Sequence, residues 1–257
     1  MLLAIDIGNT NTVIGGFSGD VLLGSFRIQS SRAYTTDEAG MLCKQLIDHH
    51  IPTSERVQAV VLCSVVPALT AVYENMARLY LECELLTLTA DFDLGFPISV
   101  SDPRQVGTDR LANAMAAGAL YGTPAVVVDF GTATTFDVLD GGGAYIGGVI
   151  APGVITSASE LAQRAAQLFR VRIEEPQSLI GVDTAAAMRS GIYYGTVGQV
   201  ERILGGISRE LGSQPQVVAT GGLADLWHRG IDAIDHVDIH LTLKGLRLFW
   251  ERCGKSA

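Results

Sequence analysis

The chain has 257 residues, 48% of them hydrophobic and 18% charged, with a formal net charge of -9 at pH 7. That length supports a large core, as one domain or as two lobes of about 120 residues each, and the acidic balance without a basic run argues against a nucleic-acid partner. The apolar run before Asp6 is too short for a signal peptide and no stretch approaches the ~20 uncharged apolar residues of a membrane span, so a cytoplasmic protein with no membrane partner is expected.

Along the chain, Leu2–Ile7, 12–17 and 21–28 read as three strands joined by short turns at Gly8-Asn9 and Ser18-Gly19-Asp20. A polar loop over 29–36 leads to Thr35-x-x-Glu38, the pattern of a capping box, which opens a helix over Thr36–His50. A strand at 57–63, a helix from Pro67 through Tyr73 to Leu81 and a strand at 84–88 complete a first α/β half. Residues 91–108, rich in Pro, Gly and Asp, read as an irregular connection, and a loop that long in a compact enzyme is often functional.

The second half repeats the order. Strands are expected at 125–129, 134–139 and 144–150, then a helix over 153–169 and a long Ala/Gly-rich helix from Thr184 toward Leu211 that the Gly205-Gly206 pair could break. A strand at 216–219, the turn Thr220-Gly221-Gly222 and a terminal helix over 241–252 follow. The expected division is 1–118 and 119–257.

The most informative pattern is duplicated. Asp6-Ile7-Gly8-Asn9-Thr10 and Asp129-Phe130-Gly131-Thr132-Ala133-Thr134 each follow an apolar run that reads as a buried strand. Each delivers a carboxylate to a tight turn where Gly and Thr let backbone and hydroxyl groups approach a phosphate. One such turn is an ordinary hairpin; two in the same strand context point to a two-lobed nucleotide-binding enzyme.

Other motifs fail. Gly254-Lys255-Ser256 resembles the end of a phosphate-binding loop, but Phe249 stands where that motif needs glycine. Gly141-Gly142-Gly143 misses the dinucleotide spacing. The four cysteines, Cys43, Cys63, Cys83 and Cys253, are scattered and read as small buried residues. His236 and His240 flank a strand-like Val237-Asp238-Ile239 and are expected on one exposed face rather than around a metal.

Asp-x-Gly-Asn-Thr near the amino terminus, Gly107-Thr108-Asp109-Arg110, Asp-x-Gly-Thr-Ala-Thr, Gly147-Gly148-x-x-x-Pro152-Gly153 and Thr220-Gly221-Gly222 occur in one order across the whole chain. In these motifs the chain resembles the type III pantothenate kinases. The resemblance implies an α/β fold of two ribonuclease-H-like lobes, of the actin, sugar kinase and Hsp70 type, with ATP between them. It also implies a homodimer that phosphorylates pantothenate in the first step of coenzyme A synthesis.

The same resemblance assigns roles. Asp6, Ile7, Gly8, Asn9, Thr10, Asn11, Thr12 and Val13 would form the first phosphate turn, with Asp6 holding Mg²⁺ through water, and Thr132 would be the second jaw of the phosphate clamp. Gly107, Thr108, Asp109, Arg110 and Thr184 would contact pantothenate. Asp109 would be the general base, as carboxylates are in other kinases. Against that, a carboxylate beside Arg110 is expected to have a lowered pKa, which suits an ion pair or a helix cap. Asp129 would bind a monovalent cation, K⁺ or NH₄⁺; a place in the Mg²⁺ shell is the alternative, since both ions take oxygen ligands. Thr184 is the expected cap of its helix, with Asp183 competing.

Two positions depart from the family pattern: Val100 replaces a common tyrosine, and Leu168-Phe169 replaces the usual Leu-Pro. A sugar or acetate kinase of the same fold, or a non-catalytic transcriptional accessory relative, are the competing functions.

Overall fold

The structure is a computed structural model and describes residues 1–52, 54–164 and 171–254. The chain divides into two compact units, Met1–Ala116 with the segment beginning at Leu241, and Ala117–His240.

In the first unit β1 (Leu2–Ile7), β2 (Asn11–Ser18) and β3 (Val21–Gln29) form an antiparallel meander, and β4 (Ala59–Ser64) and β5 (Glu84–Thr87) extend it in parallel, giving the order β3-β2-β1-β4-β5. The central strands β1 and β4 are nearly continuous apolar runs because helices or apolar side chains cover both of their faces. On one face α1 (Thr36–His50) and α2 (Pro67–Met76) pack with Leu3, Ile5, Val60 and Leu62. The capping box is present: Glu38 N–H donates to Thr35 Oγ1 at 3.2 Å and Thr35 N–H to Glu38 Oε2 at 2.8 Å. A π-helical turn, Ala77–Leu81, continues α2 to the expected end, and Glu82 closes it in the left-handed region at φ 49°.

The other face is covered by α3 (Thr108–Tyr121), whose first turns belong to this unit, and α7 (Leu241–Cys253). Leu243, Leu246 and Phe249 of α7 join Ala4, Val61, Leu111 and Met115 in one cluster. Each such fully buried side chain contributes about 1.5–3 kcal/mol relative to exposure. A Cβ on Gly245 would stand 1.9 Å from the Ala112 carbonyl oxygen, so glycine is what lets the two backbones approach.

The second unit repeats the topology. In it β6 (Ala125–Phe130), β7 (Ala133–Leu139) and β8 (Tyr145–Pro152) form the meander, β9 (Gln216–Thr220) and β10 (His236–Val237) add in parallel, and the order is β10-β9-β6-β7-β8. Around this sheet stand α4 (Val154–Arg164), α5 (Thr184–Leu211) and the single turn α6 (Ala224–Trp227), with Trp227, Tyr193 and Phe130 in the core.

Four expectations change. The terminal helix, expected with the second half, completes the first unit, because its apolar side is matched to the uncovered face of the β1–β4 sheet. Helix α3 begins at Thr108, the last residue of the region read as a connection, where the sequence suggested at most a helix cap at Asp109; its Ala-rich sequence buries Leu111 to Ala117. Helix α5 runs unbroken through Gly205 and Gly206, which are flanked by helix formers on both sides. His236 lies in β10 and His240 beyond it, just before α7, both half-buried, so they do not share one exposed strand face. The last part of the helix expected over 153–169, including Leu168 and Phe169, and Lys255-Ser256 lie outside the described residues.

Candidate active site

In the first unit Asp6 is the penultimate residue of β1, opposite Val13 of β2 and beside Cys63 of β4. The following turn is closed by Gly8 N–H donating to the Asn11 carbonyl at 3.1 Å, and a Cβ on Gly8 would stand 3.0 Å from that oxygen. Asn9, Thr10 and Asn11 are exposed, whereas Thr12 is buried with its hydroxyl 2.9 Å from Ser30 Oγ. Ser30 N–H also donates to the Thr10 carbonyl at 2.9 Å, so the turn rests on the start of the loop after β3. Ile7 is buried and Val13 half-buried, so both shape the turn from below while their backbone frames it.

The β4 strand ends beside this turn, with Val65 N–H donating to the Ile7 carbonyl at 3.1 Å. Cys63, fully buried, donates its thiol to Asp6 Oδ1 at 3.4 Å. Burial raises the Cys63 pKa well above the ordinary thiol range, and the charges of Asp6 and Asp109 push it in the same direction. One thiol therefore senses both carboxylates. The next residue, Ser64, holds the start of α3: its N–H donates to Thr108 Oγ1 at 3.0 Å, and that hydroxyl donates to the Ser64 carbonyl at 3.1 Å.

Asp109 lies in the first turn of α3, which Leu111 N–H closes on the Gly107 carbonyl at 3.1 Å. Its Oδ1 accepts the Arg110 backbone N–H at 2.8 Å. Contrary to the expectation from its neighbour, the Asp109 pKa is raised: burial dominates, and the N–H and positive charge of Arg110 only partly offset it. A raised pKa makes the carboxylate a better proton acceptor than an exposed Asp. A Cβ on Gly107 would come to 2.5 Å from Asp109 Oδ1, so the glycine keeps the space the carboxylate occupies.

In the second unit Asp129 is the penultimate residue of β6, opposite Thr135 and beside Thr220 of β9. Gly131 N–H donates to the Ala133 carbonyl at 3.1 Å, leaving Thr132 exposed at the tip. The Thr132 carbonyl accepts Thr156 Oγ1 at 2.9 Å, and a Cβ on Gly153 would stand 2.1 Å from the same oxygen. Gly221 has φ +89°, and a Cβ there would lie 2.4 Å from Asp129 Oδ1. Both conformation and space require glycine at that point. Thr184, exposed, is the first residue of α5, but Asp183 is the cap, its Oδ1 accepting Ala186 N–H at 2.8 Å. Asp183 caps because it sits one residue before the helix, where its carboxylate reaches the third N–H.

No group of three or more His, Cys, Asp or Glu side chains among the described residues is arranged to hold a metal ion.

A family model for type III pantothenate kinase matches residues 2–205. The chain belongs to that family. A type III pantothenate kinase of Exiguobacterium sp. is 46% identical over 255 residues, covering 99% of this chain and 100% of the relative. One of Moorella thermoacetica is 47% identical over 252 residues, covering 98% of this chain and 99% of its own. Among solved structures, MreB 5 of Spiroplasma citri, with AMPPNP bound, aligns over 99% of this chain and 97% of its own at a TM-score of 0.56 and 11% identity, a likeness of fold alone. The fold is of the actin, sugar kinase and Hsp70 type. Within this pantothenate kinase framework, the sequence marks Cys63 only as a small buried residue and gives no role to Ser64 or Thr156. Only Cys63 carried a usable signal, since the spacing of two parallel apolar strands places it level with Asp6.

Proposed function

We propose that the protein transfers the γ-phosphoryl group of ATP to the primary hydroxyl of pantothenate, giving 4'-phosphopantothenate at the first step of coenzyme A synthesis. The observation that carries this reading is the raised carboxyl of Asp109, held at the start of α3 beside the end of β4. In the reaction the acceptor oxygen forms a bond to the γ-phosphorus as the bond to the bridging β-phosphate oxygen breaks. Asp109 takes the hydroxyl proton and ADP leaves. Such transfer depends chiefly on positioning and charge neutralisation.

In this reading Asp6, Ile7, Gly8, Asn9, Thr10, Asn11, Thr12 and Val13 supply the first phosphate turn, Thr132 the second, and Asp6 holds Mg²⁺ through water. Gly107, Arg110, Thr184 and the backbone of Thr108 belong to the pantothenate side; Thr184 opens α5, and a helix N-terminus suits a carboxylate or amide. Asp129 holds the monovalent cation, K⁺ or NH₄⁺. The Gly221 backbone lies close against its carboxylate, where a Cβ would stand 2.4 Å from Oδ1, and that carboxylate is a hard-oxygen ligand of the kind such ions take. Bound there, the cation supplies positive charge against the phosphates.

The protein acts as a cytoplasmic homodimer. No helix among the described residues is long and apolar enough to cross a membrane. The second unit exposes Ile150, at 65%, Ile155 and Leu161 on β8 and α4, apolar side chains that a second copy would cover. A net charge of -9 and the absence of a basic run favour small substrates over nucleic acid.

The test is ADP release measured with pantothenate, glycerol, acetate or no acceptor, with and without potassium. Turnover with pantothenate alone supports the assignment; turnover with acetate or glycerol moves the protein to another kinase class, and ADP release that needs no acceptor makes it an ATPase.

A further inference from the structure

The end of β4 touches the surroundings of both carboxylates. Cys63 and Ser64 are consecutive, and the strand they end is hydrogen-bonded on both sides: β1 pairs with it from Leu2↔Ala59 to Ile7↔Ser64, and β5 from Ala59↔Glu84 to Leu62↔Thr87. Further bonds, Val65 N–H to the Ile7 carbonyl at 3.1 Å and Leu88 N–H to the Leu62 carbonyl at 2.8 Å, hold its final residues. A strand fixed in this way is a rigid reference for whatever its last residues hold.

The Cys63 thiol holds one carboxylate. Its Sγ lies 3.4 Å from Asp6 Oδ1, within the range for a sulfur donor, in a place with no access to water. The Ser64 backbone holds the other through Thr108. The Thr108 hydroxyl spends its one proton on the Ser64 carbonyl and accepts the Ser64 N–H, a two-bond clamp at 3.0 Å and 3.1 Å. That hydroxyl has no proton left to give to a substrate, although one of its lone pairs remains. Its neighbour is Asp109.

We propose that Cys63 and Thr108 are positioning residues that hold Asp6 and Asp109 to one rigid strand end, and that the Thr108 side chain serves the base rather than pantothenate. This rests on the roles given to Asp6 and Asp109 above. The consequence is a division of labour. Loss of the thiol loosens the carboxylate on the nucleotide side. Loss of the Thr108 hydroxyl frees the start of α3 and displaces the base, which lowers turnover without removing a contact to the acceptor.

The experiment uses the full chain and compares Cys63→Ala, Cys63→Ser, Thr108→Val and Thr108→Ser with wild type, with Asp6→Ala and Asp109→Asn as references. The KM for Mg-ATP, the KM for pantothenate and kcat are measured, and melting curves monitor folding. Cys63→Ala should raise the KM for Mg-ATP about 3- to 10-fold and leave that for pantothenate unchanged, as expected for one weak hydrogen bond to a charged group. Cys63→Ser, which keeps a donor, should recover most of the loss. Thr108→Val should lower kcat by about 10- to 100-fold with the pantothenate KM within twofold, the scale of a small displacement of a reacting group. Thr108→Ser should recover it.

A Cys63→Ser protein no better than Cys63→Ala makes the residue packing only and overturns its part. A Thr108→Val protein with unchanged kcat and a raised pantothenate KM makes Thr108 a substrate contact and overturns the other. If Asp6→Ala or Asp109→Asn leaves these constants untouched, the underlying catalytic reading itself fails, an outcome separate from the first two.

Discussion

Gly107 and Asp109 share one small space: a methyl group on the first would stand 2.5 Å from Oδ1 of the second. Gly107→Ala should therefore move the carboxylate or the helix start, and kcat should fall by about 10- to 100-fold while Mg-ATP binding is retained. Turnover within twofold of wild type, in a protein with a normal melting curve, would show that the carboxylate has room to spare.

Replacement of Asp109 by Asn keeps the shape and still offers an oxygen to the Arg110 N–H, but removes the proton acceptor. Turnover should fall about 10²- to 10⁴-fold with nucleotide binding intact. A loss smaller than tenfold returns Asp109 to the role of an ion-pair or capping residue.

The raised pKa of Asp109 gives a second measurement on the same variant. Burial lifts the folded-state pKa above the unfolded value, so the folded protein binds more protons between the two, and stability is lost as pH rises through the folded pKa. At neutral pH the ionised group is a cost, and Asp109→Asn should melt higher than wild type. In activity the sign is opposite: the base must be ionised, so kcat/KM should fall on the acid side at a pH above the usual Asp range, and the Asn variant should lack that limb. A lower melting temperature for the variant at pH 7 would contradict the raised pKa of the carboxylate.

Asp6→Ala should weaken the response to Mg²⁺ and ATP even with pantothenate saturating, because its partner in this reading is the metal on the nucleotide. Unchanged Mg²⁺ and ATP dependence would remove Asp6 from the nucleotide site.

If Asp129 holds the monovalent cation, as proposed above, it sets the response to such ions. At constant ionic strength, rates should rise as potassium or ammonium replaces sodium, whose smaller radius fits an oxygen cradle of potassium size poorly. Asp129→Asn should flatten that response. Equal rates in all three salts for the unmutated protein would reject the site and leave Asp129 to the Mg²⁺ shell.

Much of the fold was legible because buried strands announce themselves. Leu2-Leu3-Ala4-Ile5 and Ala125-Val126-Val127-Val128 are apolar runs ended by Asp, and each proved to be the middle strand of its sheet. The capping box at Thr35 and Glu38 was equally readable, since its residues lie three apart and need no tertiary partner. What escaped depended on contacts between distant segments. Nothing near Asp109 reveals that burial outweighs Arg110, because burial is set by tertiary packing that the local sequence does not show. The neighbour of Asp6 at Cys63 is 57 positions away and becomes visible only through strand register. The placement of α7 was hidden for the same reason, as an amphipathic helix shows which side it buries but not which sheet receives it.

The return of α7 to the first unit sets a timetable for synthesis. The second unit is encoded as one uninterrupted stretch, Ala117–His240, inside the sequence of the first. When a ribosome has finished β5, the face of the first sheet that carries Ala4 and Val61 still lacks Leu243, Leu246 and Phe249. At ~5–20 residues per second, the intervening stretch takes roughly ten seconds to emerge. Throughout that interval the nascent first unit presents an open apolar surface. The half made first is thus completed last, because the helix that closes it is encoded after the whole of the second unit.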